Sequence, residues 1–450
     1  MDICTTPTDP STTATRASRT RSRIFPWIVF GLTFGLLLSD YMSRQVLAAV
    51  FPMLKSEWGL TDSQLGSLSS IVALMVGLLA FPLSLAADRW GRVRSLLVMA
   101  TIWSLATLLC ALAGSYGQML GARFLLGVGE AAYGSVGAAV MLAVFAPHLR
   151  ASLSGAFLAG GSFGSVLGVA LGGIVSSHIG WRWTFALMAG VGLLLVGAFR
   201  ILVTESALRT HTVTESASTH PIGTAAGGMA RAPLSSLFSS VSLWCAYLGG
   251  GLQLFVAAVL MAWLPSFFNR SYAMPSDRAG FVASAYVLLI GTGMIGCGIL
   301  TDRLGRRHPV RQWNSALAYC TISLVLLTTA FSLGTGPMQL TILALGALTA
   351  AGSAGATASM VTSLTHPSLR ATALATVTLA NNIFGLALGP LVVGVLADRY
   401  GLAAALRLVP LAYLGAIAVL ALGRRAYPAG LRRLAELTSP TTNSTTTTPR

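Results

Sequence analysis

The sequence is poor in charge. Only 9% of its 450 residues are Asp, Glu, Lys or Arg, while 54% are hydrophobic. A soluble globule of that composition could not cover itself with polar surface, so the chain belongs in a membrane. Cysteine is scarce too. Cys4, Cys110, Cys245, Cys297 and Cys320 show no metal-ligand spacing, and they leave the redox compartment unread. The histidines His148, His178, His211, His220, His308 and His366 fall at span ends or in loops, so none competes for a proton-carrying role inside the bilayer. No His pair has metal spacing and no Gly-x-Ser-x-Gly elbow sits between a strand and a helix. An enzyme is therefore not expected, and no cofactor or metal is called for.

What is present is length. Apolar runs of about 20 residues, enough for a helix to cross the hydrocarbon core, occur twelve times. They cover residues 24–50, 65–87, 95–113, 119–145, 152–175 and 183–203, then 237–264, 279–300, 313–333, 338–364, 371–397 and 403–422. Residues 1–23 form a first tail. The run after it is too long for a signal peptide and holds Asp40 and Arg44, so it reads as an uncleaved first span. Residues 204–236 lose all apolar periodicity and form a linker. Residues 424–450, ending "TSPTTNSTTTTPR", form a low-complexity tail expected to be disordered. The expected fold is all-α, with six-helix bundles at 24–203 and 237–423.

The net charge of +16 invites a nucleic-acid reading, which the positions of the basic residues exclude. With the amino terminus in the cytoplasm, 21 of 29 Lys and Arg lie in cytoplasmic loops and tails, six lie outside and two lie within spans. The surplus thus encodes topology, with both termini cytoplasmic in a bacterial-type inner membrane, and a weak attraction to anionic head groups.

The two halves repeat one another. "LSLAADRWGRVR" after span two returns as "GILTDRLGRRH" after span eight, pairing Asp88, Arg89, Gly91 and Arg92 with Asp302, Arg303, Gly305 and Arg306. "HLRASLSGAFLAGGSFG" likewise returns as "SLRATALATVTLANNIFG". Two copies of six spans share one orientation, so they are related by a pseudo-two-fold axis along the membrane normal.

The doubled loop motif, the six-linker-six layout and "WRWTF" at span six resemble the major facilitator superfamily of secondary transporters. "RFLLGVGEAAY" followed by "LRASLSGAF" is similar to its spinster-like branch, whose members move lysolipids and sphingolipid-like amphiphiles, and also to its organic anion symporters. The resemblance implies that Asp88, with Arg89 and Arg92, faces the start of span eleven near Ala371. It implies that Asp302, with Arg303 and Arg306, faces the start of span five near Ala151. Such contacts form only with the cytoplasmic side shut, which gives these residues a gating role. A look-alike, "GVLADRYG", falls on the opposite side, where Asp398 and Arg399 read as a local ion pair. The first loop copy has Ser84 where the motif has glycine, as Gly298 does in the second.

Apart from Arg200 and Arg407 near span ends, four charges lie inside the spans: Asp40 and Arg44 on span one, Arg123 and Glu130 on span four. Charges at that depth persist when they face a partner or water. Asp40 and Arg44 are one turn apart, and Arg123 and Glu130 two turns, roughly 10 Å along one face. The spans run in opposite directions, so the acids share one level and the arginines another. Resemblance places both spans on the central cavity, where Arg44, Arg123 and Tyr133 would meet substrate and Glu130 and Asp40 would carry the proton. The related branches read Asn-Tyr-x-Asp-Arg in span one, whereas this chain has "DYMSR", with Ser43 at the acid's place. Either Asp40 supplies that carboxylate or Glu130 works alone. The second half offers only uncharged candidates: Gln253, Trp263, Tyr286, Asn381 and Asn382.

The expected activity is proton-coupled transport of a small amphiphile or organic anion by alternating access, in a monomer whose partners are substrate, protons and membrane lipids. Two arginines favour an anionic or zwitterionic polar end. A membrane-embedded enzyme or a non-transporting sensor on the same fold is the alternative, but the tails are short for an output domain.

Overall fold

The computed structural model describes residues 10–205, 208, 233–305 and 309–438. Twelve helices are long and apolar enough to cross a membrane. In the first half they are α1 (Ile24–Trp58), α2 (Asp62–Trp90), α3 (Arg92–Leu112), α4 (Tyr116–Ala143), α5 (His148–Ile179) and α6 (Trp181–Leu202). The second half has α7 (Val241–Ser271), α8 (Ser276–Gly305), α9 (Val310–Ser332), α10 (Pro337–Ser363), α11 (Thr372–Tyr400) and α12 (Leu402–Ala435). No strand occurs among the described residues.

Several helices outrun the apolar runs that announce them. The last continues to Thr438, so the segment after residue 423 begins as helix rather than as the expected disordered tail. The low-complexity end from residue 439, most of the linker and Arg306 lie outside the described residues.

Tight reversals join neighbouring helices. Gly91, between α2 and α3, has φ +97°, and Gly180 and Gly401 do the same between α5 and α6 and between α11 and α12. A side chain at such a φ would clash with its own backbone, which is why glycine stands in the loop motif. At the other end of α2, Thr61 and Gln64 form a reciprocal capping box.

The halves meet through α2 against α11, α5 against α8, and α1 against α7. Backbones touch at Gly173 and Gly280, where an added Cβ on either residue would sit about 3 Å from the other's Cα. Small residues at such crossings let helices approach where lipid offers no hydrophobic drive to bring them together. The linker leaves α6 and enters α7 at one face, termed the linker side below; the other face is the far side.

Candidate functional site

The polar centre is built on a broken helix. The fourth span runs as Tyr116–Glu130, turns through Ala131 and Ala132, and resumes as Tyr133–Ala143. Just before the break Gly127 lies against Val72 of α2 and Gly129 against Trp103 of α3, too close for any Cβ. The chain is pinned on two sides there, and Glu130 becomes the last residue of a half-helix. The tenth span, its repeat counterpart, is broken in the same region, between Pro337–Thr349 and Ala354–Ser363. The eleventh carries a π-helical stretch at Asn381–Ala387. Interrupted helices at mid-depth bring polar backbone and side chains to places where a straight helix would present only apolar surface.

The four buried charges come together. Arg44 Nη1 lies 4.0 Å from Glu130 Oε2. Asp40 is buried close enough to the same carboxyl to interact with it electrostatically, and both Glu130 oxygens are without a hydrogen-bond partner among the described residues. A carboxylate only accepts, so those two groups can bond to each other only when the pair holds a proton. Arg123 has no exposed surface; its Nη1 donates to the carbonyls of Ser43 and Arg44 at 3.4 Å each, and its guanidinium sits 5.3 Å over the Phe185 ring. Its Nε and Nη2, together with Asp40 Oδ1 and Ser43 Oγ, are buried without a hydrogen-bond partner among the described residues. Asp40 is therefore the carboxylate that α1 presents to Glu130. Arg44 and Arg123 also line a cavity of about 40 Å³ whose opposite wall is Ala258 and Met261 of α7 and Pro390 of α11. The two arginines of the cluster thus face the other half.

The uncharged candidates are placed differently. Tyr133 donates to the Thr33 carbonyl at 2.7 Å and stacks edge-on against Trp103, with no exposed surface. Trp263 donates to the Pro390 carbonyl at 3.2 Å and packs on Phe51. Tyr286 donates to the Leu340 carbonyl at 2.9 Å and packs on Phe268. These three spend their polar atoms on carbonyls of neighbouring helices in this conformation. Gln253 Oε1 accepts from both the backbone N–H and the hydroxyl of Ser353, so it holds the break of α10. Its Nε2 remains unpaired. Gln253 and Ser353 are thus the neutral counterpart of Asp40 and Glu130, one half across the repeat. Asn382 donates to Thr378 and packs against Gly77 of α2, while its Oδ1 and that of Asn381 are buried and unpaired.

Sequence spacing missed a set of polar contacts that joins the two halves. On the far side Asp62, 2% exposed, takes two bonds from Arg270 at 2.7 and 2.8 Å and one from Lys55 at 2.6 Å. Asp398 accepts from the backbone N–H groups of Asp62 and Ser63 at 2.6 and 3.0 Å. It caps the start of α2 from the other half, and this corrects its reading as a local partner of Arg399. The physics is the one expected of the doubled loops, a carboxylate at a helix amino end, but it operates on the opposite face. The signal was the "DRYG" look-alike itself.

On the linker side the expected cross-half contacts are not made in this conformation. Asp88 is exposed and lies 3.9 Å from Arg92 of its own turn. Asp302, Arg89 and Arg303 are exposed as well. Among the described residues neither Asp88 nor Asp302 pairs with the other half. Among the described residues, charged side chains tie the halves at the far side and not at the linker side.

Comparison with known proteins agrees with this architecture. Residues 33–382 match the family model described as Major Facilitator Superfamily. The chain is 25% identical over 309 residues to a probable L-galactonate transporter of Escherichia coli (strain K12), covering 67% of each protein. It is 27% identical over 247 residues to Protein spinster homolog 1 of Xenopus laevis, covering 54% of this chain and 46% of that protein. In three dimensions it superposes with a TM-score of 0.74, at 18% identity, on a bacterial homolog of the human lysosomal transporter spinster in an inward-facing and occupied conformation, covering 93% of this chain and 99% of that one. Twelve spans in two repeats and a family match over most of the chain make this protein a member of the Major Facilitator Superfamily, with spinster proteins and organic-anion transporters among its relatives.

Proposed function

We propose that this protein is a secondary transporter that carries a small organic anion across the membrane by alternating access, coupled to protons through Glu130 and Asp40. The observation that carries the reading is the neighbouring pair of carboxyls with Arg44 at 4.0 Å from Glu130, and Arg44 and Arg123 on the wall that looks toward the other half. Two guanidiniums bind an anionic group by charge-assisted hydrogen bonds. An acid pair beside them exchanges a proton when the surroundings open or close, because burial and a neighbouring guanidinium pull a carboxyl's proton affinity in opposite directions. The coupling is then simple. An anion that takes Arg44 away from Glu130 leaves a carboxyl that must hold a proton or find another cation.

The distribution of arginine supports a cytoplasmic linker side. On that orientation the far-side lock shuts the outside, and the described conformation is the one that yields to the cytoplasm. The galactonate relative supports a sugar acid as substrate, and the sequence resemblance to the spinster-like branch adds an anionic amphiphile as the second class to test. Uptake into proteoliposomes of labelled sugar acids, aromatic acids and lysolipids, with and without an imposed pH gradient, separates them. Accumulation that follows the gradient for one class is the expected result. Uptake indifferent to the gradient for every class overturns proton coupling.

A further inference from the structure

A cavity with a charged mouth lies away from the interface of the halves. It lies between α3 and α6 at the linker side, on the outer surface of the first bundle, and measures about 720 Å³. Val98 and Ile102 of α3 and Val196 of α6 form its apolar slot, while Trp90, Arg94, Arg200 and Glu205 stand at its mouth. From Val93 to Ile102 the slot follows about 13 Å of helix at 1.5 Å per residue, a length that suits an extended acyl chain.

The mouth has a definite electrostatic character. Arg94 and Arg200 are both exposed and come from different helices, and neither forms an ion pair among the described residues. Glu205 lies over Gly91, the residue that opens α3 without any side-chain cap. Two arginines against one glutamate leave one positive charge, the complement of a single phosphodiester. Trp90 is 67% exposed and sits where an indole ring prefers the head-group layer. Nothing in the transport scheme uses these residues.

We propose that this groove is a binding site for an anionic phospholipid of the linker-side leaflet, with the phosphodiester between Arg94 and Arg200 and one acyl chain in the slot. A soluble phosphate compound would leave the apolar slot unfilled, whereas a lipid satisfies the charged mouth and the slot together.

The test is native mass spectrometry of the full-length protein extracted from membranes containing phosphatidylglycerol and phosphatidylcholine. Phosphatidylglycerol should be retained in preference. Replacing Arg94→Gln and Arg200→Gln should weaken retention roughly fivefold per arginine, the factor for one basic group at a lipid surface. Val98→Trp, which fills the slot and keeps the charge, should also release the lipid, and the pair Arg94→Lys and Arg200→Lys should hold it. The control is Arg424→Gln with Arg425→Gln, an equal loss of charge at the same face on α12, which should change nothing. Equal loss in the control, indifference to the Val98 change, or equal retention of phosphatidylcholine overturns the site.

Discussion

Arg270 and Asp62 are joined by two parallel hydrogen bonds of 2.7 and 2.8 Å across the interface of the two halves, on a carboxylate that is 2% exposed. Lys55 completes its coordination from the end of α1, and Asp398 caps the same turn through the backbone. A carboxylate so enclosed cannot lose a partner cheaply: breaking a buried pair typically costs about 3–5 kcal/mol. Arg270→Ala should therefore open the far side. Spin labels on the far-side ends of α2 and α11 should report a new long-distance population, and unchanged distances would remove the lock from the conformational cycle.

Asp398→Asn tests the cap separately. The asparagine keeps one acceptor oxygen for one of the two N–H groups and loses the charge and the second bond, so the expected cost is the charge-dipole part, about 0.3–1 kcal/mol and up to ~2 when partly buried, plus about 1 kcal/mol for the lost hydrogen bond. The far-side-open population should rise less than with Arg270→Ala. A larger rise would mean that the cap, not the ion pair, dominates.

Glu130→Gln should leave substrate exchange across equal gradients intact while abolishing accumulation driven by a proton gradient, measured in proteoliposomes. Asp40→Asn should do the same if the proton is shared by the pair, and should leave coupling in place if Glu130 works alone. Retained coupling in both variants would move the proton site elsewhere.

Arg123 is held by two carbonyls and an aromatic face, with Nε and Nη2 unspent. Arg123→Lys preserves charge and loses the planar fork, so it should weaken anion binding about tenfold or more, with only a small fall in melting temperature. Unaltered binding in a folded Arg123→Lys protein would make Arg123 a packing residue.

Asp302 is exposed and unpaired with the other half in this conformation. Asp302→Asn should thus leave this state's stability unchanged while depleting the state closed on the linker side. Cysteine labelling at the linker-side end of α5 should speed up, and an unchanged rate would leave the doubled loops with a topological role only.

The spans and their repeat were legible because bilayer thickness imposes one length, and because the loop motif is local. The four buried charges were legible for a related reason: helical spacing fixes which of Asp40, Arg44, Arg123 and Glu130 share a face. The lock on Asp62 was not. Its partners in the other half lie 208 and 336 residues away in the chain, and no periodicity connects them. The breaks in the fourth and tenth spans were hidden as well, since glycine within an apolar run signals close packing and interruption equally. Tyr133, Trp263 and Tyr286 look like ligand contacts in a sequence because a polar tip on an aromatic body suits a carbonyl and a substrate alike.

The two faces of the molecule differ in how they meet dissolved ions. Asp62 itself is withdrawn from solvent beneath the partly covered Arg270 and Lys55, whereas Asp88 and Arg92 stand in it. Mobile ions damp attraction between exposed charges over about 8 Å at physiological ionic strength and reach enclosed pairs far less. Salt on the far side would then leave the closure indifferent, while salt on the linker side loosens the opposing closure when it forms, so a rise in electrolyte there alone biases which compartment the binding site faces.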